Sequence, residues 1–235
     1  AALNASELPV VAVDIPSGLC SDTGAVRGIA VVADLTVSYI GLNCGLFTLQ
    51  GPDHAGVVHF SDLGVPAEAY EDTPSRCERL ELEALLQECL PTRPLSAHKG
   101  DCGTVLVVGG DYGLAGAAAL ATEAALRCGA GLVQVATRPE HVAALVARTP
   151  EAMPRGIGAM DEFMPMLEAA DVMVVGPGLG QSPWSTELAQ LALASGKPLL
   201  LDADGLNLLA SGALGGFGPA ANRVFTPHPG EAARL

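Results

Sequence analysis

Short apolar runs, glycine-rich turns and helical periods follow one another along this chain, and its two halves use them differently. Residues 9–14, 35–40 and 57–60 are brief, β-branched apolar runs bounded by turn formers, which predicts strands. Their apolar positions are continuous rather than alternating, as expected where both faces of a parallel sheet are covered. Glycine-rich stretches, 41–51 above all, lie between them and few helical periods intervene, so this part reads as the tail of a domain. Around residues 71–99 the character changes. Glu71, Asp72, Pro74, Ser75 and Arg76 are polar or turn-forming, and Leu82, Leu85, Leu86 and Leu90 then recur at helical spacing. This predicts a linker carrying one amphipathic helix over 78–90, with the domain boundary near residue 75.

From Thr104 the pattern restarts as a regular alternation. Strands are predicted at 104–108, 132–136, 172–175, 198–202 and 223–226. Helices are predicted at 115–128, 140–148, 161–170, 182–194 and 205–210, with another beginning at Glu231. Ser182 and Pro183 supply an N-cap and a first helical residue. Strands separated by helices argue for βαβ units and a parallel sheet, so the fold class is α/β. The expected organisation is a domain tail over 1–75, a linker over 76–97 and a second α/β unit over 98–235. The chain begins without Met and in mid-pattern, and ends where a helix starts, which predicts a piece incomplete at both ends.

Composition narrows the function classes. With 49% hydrophobic residues and only 4% aromatics, the chain can bury a core built mainly from Leu, Val and Ala. The net charge of −14 argues against a nucleic-acid partner, which needs clustered Lys and Arg. A nucleotide ligand stays open, since backbone N–H groups can hold phosphate. Cysteines 20, 44, 77, 89, 102 and 128 form no CxxC pair and no zinc pattern; they read as buried or incidental reduced thiols. There is no signal peptide and no apolar run long enough to span a bilayer, so a cytoplasmic protein away from membranes is expected.

The candidate chemistry lies just past predicted strands, where open α/β sheets bind ligands. Asp14-Ile15-Pro16-Ser17-Gly18 places a carboxylate that can accept from a ribose or ring hydroxyl and a hydroxyl able to ligate a hard cation; a plain turn with a helix cap fits equally. Gly109-Gly110-Asp111-Tyr112-Gly113 precedes a helix that opens with Gly116 and Ala117, leaving room for a flat ring or for close helix–sheet packing. It is neither GxGxxG nor a P-loop, which leaves a dehydrogenase site poorly supported. Gly176-Pro177-Gly178-Leu179-Gly180 suggests close backbone approach to a ligand. Asp202 and Asp204 offer a cation or hydroxyl site, or a cap for the helix from Gly205. His228 stands between Pro227 and Pro229, which restrict the backbone around it.

Taken in order, these motifs resemble the bifunctional NAD(P)H-hydrate repair enzymes. Residues 11–19, with Ala33-Asp34-Leu35-Thr36 and Gly45-Leu46-Phe47, look like the closing part of the epimerase half. His98-Lys99-Gly100-Asp101, Gly109-Gly110, 176–180, Asp202-Ala203-Asp204 and 226–231 look like the opening part of the dehydratase half. The resemblance implies a Rossmann-like epimerase domain tail followed by the start of a ribokinase-like domain. It implies epimerisation of the R and S hydrates and nucleotide-dependent dehydration of the S form, with potassium, ADP or ATP, and magnesium. It implies that Asp14 binds substrate, that Ser17 ligates potassium, and that Ala117, Gly178, Gly180 and His228 line the hydrated nicotinamide. Asp204 matches a further motif position. Asn43 stands where relatives carry Lys. The early Asn- and Gly-rich loop, the upstream potassium-binding Asp, and the late glycine-rich anion hole with its Asp are absent, so the residues completing both active sites are expected outside this chain. The expected partners are the hydrated dinucleotide and an adenine nucleotide, with a homo-oligomer left open. A ribokinase-like kinase of a small alcohol and a non-catalytic nucleotide-binding module are the alternatives.

Overall fold

The computed structural model describes residues 2–71, 73, 77–90, 92–215 and 222–235. The chain divides into two compact units, Ala1–Pro91 and Thr92–Leu235. The boundary expected near residue 75, with Asp72, Pro74, Ser75 and Arg76, lies outside the described residues.

In the first unit three parallel strands lie in sequence order: β1 (Val11–Val13), β2 (Leu35–Tyr39) and β3 (Val57–Ser61). Val11 pairs with Leu35 and Leu35 with Val57, so these three side chains share a face. The central strand carries Thr36 and Ser38 fully buried on the other face, and the Thr36 hydroxyl donates to the Ala55 carbonyl at 2.6 Å. A short helix, α1 (Gly51–Ala55), precedes β3; its five residues gave no readable helical period. Helix α2 (Leu82–Cys89) occupies the span of the expected amphipathic helix, shorter at its N-terminal end.

The second unit is a six-stranded parallel sheet. Its strands are β4 (Thr104–Val108), β5 (Leu132–Thr137), β6 (Met153–Gly156), β7 (Val172–Val175), β8 (Leu199–Leu201) and β9 (Arg223–Phe225). Its helices are α3 (Ala115–Arg127), α4 (Val142–Arg148), α5 (Met164–Ala169), α6 (Pro183–Ala194), α7 (Ala203–Ala210) and α8 (Pro229–Ala232). The expected α/β class with mainly parallel sheets is what the structure shows. The expected helices at 140–148 and 161–170 each begin as a 3-10 turn, Pro139–His141 and Met160–Glu162, before becoming α-helical. Strand β6 was not foreseen. Its Met-Pro-Arg-Gly sequence has neither β-branched residues nor alternation, and it pairs only with β5, at an edge where proline is tolerated.

The strand order is β6-β5-β4-β7-β8-β9. The chain starts at β4, winds outward through β5 to β6, then returns to the other side of β4 for β7, β8 and β9. Successive β4 residues therefore feed two cores. Leu106 and Val108 join Met173, Val175, Leu199 and Leu201 beneath α5, α6 and α7. Val107 joins Val133 and Val135 beneath α3 and α4. Burial on both faces explains the continuous apolar runs of these strands. The winding reverses between β4 and β7, the point in an open α/β sheet at whose strand carboxyl ends ligands commonly bind. No described helix is long and apolar enough to cross a membrane.

Candidate active site

The loops leaving β4 and β7 meet at this reversal and are sewn together by backbone hydrogen bonds. The Gly110 N–H donates to the Pro177 carbonyl at 3.2 Å, and the Asp111 N–H to the Gly178 carbonyl at 2.7 Å. The glycines make this contact feasible. A Cβ on Gly109 would lie 2.1 Å from the Pro177 oxygen, and one on Gly178, whose φ is +59°, would lie 2.4 Å from the Leu114 oxygen. Gly176 faces the Asp202 oxygen and Gly180 the Asp111 carboxylate in the same way. The sequence suggested that loop 176–180 is glycine-rich so that a ligand can approach its backbone. The Cβ directions are filled by protein, so close packing of neighbouring loops is one constraint these glycines meet. Ala117 sits at the start of α3 against Gly178: its Cβ is 3.1 Å from where a Gly178 Cβ would be.

Asp204 joins the β8 end to the same loop. Its Oδ2 accepts the Gly180 N–H at 2.9 Å, and its Oδ1 accepts from Asn207 Nδ2 at 3.3 Å. Helix α7 begins at Ala203 with Asp202 as N-cap, so the alternative that Asp204 caps a helix from Gly205 does not hold. Asp202 Oδ1 accepts from Thr226 Oγ1 at 2.8 Å, so neither carboxylate stands unpartnered. Ala203, between them, has φ +45°, a left-handed conformation unusual for a residue with a Cβ. Such strain persists where surrounding contacts over-determine it and tends to cluster at functional loops.

His228 follows β9 and caps α8. Its Nδ1 accepts the Gly230 N–H at 3.0 Å, its own N–H donates to Glu231 Oε2 at 2.9 Å, and its Nε2 is 3.3 Å from Glu231 Oε1. The ring is 63% exposed while Glu231 is buried, so a buried carboxylate orients an open imidazole. A cleft of about 550 Å³ lies at the foot of these loops, lined by Gln181, Asn207, Ala210, Ser211 and Arg234. Arg234 donates from Nε to Asn207 Oδ1 at 3.1 Å, linking the cleft to Asp204.

Sequence reasoning missed a buried charged group of the region. Asp111 is 8% exposed, and its carboxylate accepts from Arg138 Nε at 2.6 Å, the Ser182 hydroxyl at 2.9 Å and the Tyr112 N–H at 2.9 Å, with the Ser185 oxygen 3.2 Å away. Burial alone would raise its pKa; Arg138, the Tyr112 N–H and Ser182 outweigh it and hold the carboxyl below the usual value. The Arg138 guanidinium lies 4.0 Å from the Trp184 ring centroid and 4.5 Å from that of Tyr112. The signal that could have found this node was positional. Arg138 is one of only 12 basic residues and directly follows a strand, as Asp111 nearly does.

In the first unit Asp14 leaves β1 with φ +68°, its N–H bonded to the Val37 carbonyl at 2.7 Å. Its Oδ1 accepts from Asn43 Nδ2 at 3.3 Å and from the Ser38 hydroxyl at 3.4 Å. Ser17 is exposed three residues on, and its carbonyl accepts the Val31 N–H. No helix follows Asp14, which removes the helix-cap alternative there. The structure thus brings Ala117, Gly178, Gly180 and Asp204 together in the second unit, with His228 on the next strand end, and Asp14 with Asn43 in the first. None of the six cysteines is buried and none forms a disulfide, which fits the incidental-thiol alternative rather than the buried one. Among the described residues no group of three or more His, Cys, Asp or Glu could hold a metal.

A parallel sheet wound outward from its first strand, with two glycine-rich loops packed together at the reversal, gives the second unit a ribokinase-like arrangement. Solved structures share this arrangement. A ribokinase-like superfamily protein of Enterococcus faecalis V583 superposes with a TM-score of 0.61 at 31% identity, covering 68% of this chain and 59% of that one. The ADP/ATP-dependent NAD(P)H-hydrate dehydratase of Bacillus subtilis, co-crystallised with ATP/Mg2+, gives 0.50 at 30% identity over 62% of this chain and 51% of its own.

The chain belongs to the NAD(P)H-hydrate dehydratase family, whose model matches residues 105–235. Residues 1–45 match the family described as YjeF-related protein N-terminus. The bifunctional NAD(P)H-hydrate repair enzyme Nnr of Escherichia coli (strain K12) is 47% identical over 99% of this chain and 44% of its own length. That of Coxiella burnetii is 44% identical over 100% of this chain and 47% of its own. The chain thus spans about half the length of these relatives.

Proposed function

We propose that the protein carrying this chain repairs hydrated nicotinamide nucleotides, epimerising the R and S hydrates and dehydrating the S form with ADP or ATP. The observation that supports this most is continuity. Alignments to bifunctional repair enzymes at 44–47% overall identity cover 99–100% of the chain and so include both units. A small-alcohol kinase would account for the second unit alone.

In this reading residues 1–75 close an epimerase domain, 76–97 link, and 98–235 open the dehydratase. The hydroxyl of the hydrate gives up its proton to solvent as it attacks the terminal phosphorus of the nucleotide, which departs one phosphate shorter. Elimination then breaks the ring C–O bond, releases phosphate, and gives up a ring proton as the double bond forms. Such chemistry depends on positioning and charge stabilisation more than on a protein nucleophile. Ala117, Gly178 and Gly180 line the nicotinamide side, Asp204 holds Gly180 in place, and the exposed His228 ring faces the substrate. In the epimerase half Asp14 accepts from the hydrate, with Asn43 orienting its carboxylate.

Magnesium enters with the nucleotide phosphates, as this ion usually does, rather than on a protein cluster. Ser17 is proposed as a potassium ligand. The Ser17 hydroxyl and the Asp14 carboxylate do not make a site for such a hard cation by themselves.

The test follows recovery of NADH absorbance from the S hydrate, using the full-length protein with ADP or ATP and magnesium, with and without potassium. Nucleotide-dependent recovery that weakens in a folded His228→Ala variant is the expected outcome. No recovery with either nucleotide from folded wild-type protein overturns the dehydratase reading, and unequal R and S forms that never equilibrate overturn the epimerase one.

A further inference from the structure

We propose that Asp111 and Arg138 are a buried positioning pair that holds the 178–182 segment in register and thereby sets affinity for the nicotinamide half of the substrate. This rests on the reading of loop 176–180 given above.

The Asp111 backbone N–H binds the Gly178 carbonyl at 2.7 Å, and its Oδ2 accepts from Ser182, the N-cap of α6, at 2.9 Å. One residue therefore clamps both ends of the 178–182 segment. Between these ends, Ser185 donates to the Leu179 carbonyl and also reaches Asp111 Oδ2 at 3.2 Å. The space in front of Gly180 is filled by the same carboxylate, 3.0 Å from where a Cβ would lie. Leu179 is fully buried in the core, so the segment cannot shift without disturbing its packing.

Arg138 fixes the carboxylate in turn. Its Nε holds Asp111 Oδ1 at 2.6 Å, and its Nη2 reaches the Ser182 hydroxyl at 3.5 Å. Tyr112 and Trp184 both pack on the guanidinium, which orients that plane. The pair is only 11% and 15% exposed at its side chains. A buried ion pair is a poor source of stability compared with apolar packing of similar volume, because both charges must be desolvated. What it provides is direction: a fully satisfied charged network tolerates few arrangements. Here that direction is applied to a loop at the sheet's switch point, which joins the ends of β4, β5 and β7.

The experiment compares wild type, Asp111→Asn, Arg138→Gln and the double variant in the full-length protein, by hydrogen exchange and by steady-state kinetics. Amides of residues 178–182 are expected to lose about tenfold more protection in each variant than the β4 and β7 amides do. KM for the hydrate is expected to rise by about tenfold with KM for the nucleotide unmoved, and the double variant to be no worse than either single. If segment 178–182 keeps its protection, or loses it only in step with β4, the pair merely stabilises the fold and the proposal fails. It also fails if both KM values rise together. A wild type that leaves the hydrate untouched overturns the functional reading, and the exchange data still decide the positioning claim.

Discussion

Asp111 shows how one residue's environment decides its chemistry. Burial works against its charge, while Arg138, the Tyr112 N–H and Ser182 favour it, and the balance lowers its pKa in the folded state. A carboxyl whose folded pKa lies below its unfolded value stabilises the protein above the unfolded pKa and loses that contribution as pH falls through the folded one. The ordinary value is 3.8, so the stabilisation is present from mildly acid pH upward and disappears below that value. Asp111→Asn should therefore lower stability at neutral pH and flatten the acid limb of a denaturation curve measured from pH 6 downward, about the range where carboxylates titrate. An acid limb as steep as wild type would show that Asp111 is not among the groups that titrate on unfolding. The residue was visible in the sequence, inside a motif singled out for its glycines. Its partners were not, because Arg138, Ser182 and Ser185 lie 27, 71 and 74 positions away.

At the scale of elements, the helices and strands of the second unit follow from local rules. Ser182 accepts the Ser185 N–H and Pro183 opens α6, as the sequence indicated. Helix α3 gives way to Cys128 and then to Gly129, whose φ of +99° suits glycine alone. Strand β6 and helix α1 escaped notice because each is too short to show a period and exists through its neighbours. The element most sensitive to substitution should be loop 176–180. Gly178→Ala must place a Cβ 2.4 Å from the Leu114 oxygen at a φ of +59°. A loss of about 1–3 kcal/mol in chemical denaturation is expected, together with weaker binding of the hydrate. A fully stable Gly178→Ala protein would mean that the β4 and β7 loops are less tightly joined than described. By comparison, Leu188→Ala in the core should cost about 2–5 kcal/mol from lost burial alone, without a selective effect on either substrate.

The two units differ in how much apolar side chain each buries. The second buries large apolar residues on both faces of its sheet, among them Leu106, Met173, Leu188 and Leu201. The first buries mostly small ones, such as Ala12, Ala30, Ala33 and Ala55, and Val11, Val13 and Val57 on its sheet are 58%, 70% and 70% exposed. Less apolar surface removed from water means weaker local protection. For this 235-residue chain, amides of β1 to β3 should exchange faster than those of β4, β5 and β7 by at least about tenfold. Equal protection in the two sheets would show that the exposed face of the first is covered in solution.

Chain order and hydrophobic period were sufficient to call an α/β chain, to place nearly all strands of the second unit, and to mark the strand ends where chemistry collects. These are local properties: a parallel strand buried on both faces needs a run of apolar residues, and a tight turn needs glycine wherever φ is positive. What the tertiary structure alone decided was which strand ends meet. The reversal between β4 and β7 brings loops 109–113 and 176–180 into contact and turns the glycines toward protein atoms. It also gives Asp204 a Gly180 N–H to accept and makes Asp111 the centre of a charged network. Those pairings depend on the strand order, which no local pattern encodes, because each contact joins residues that only the folded sheet brings within hydrogen-bonding distance.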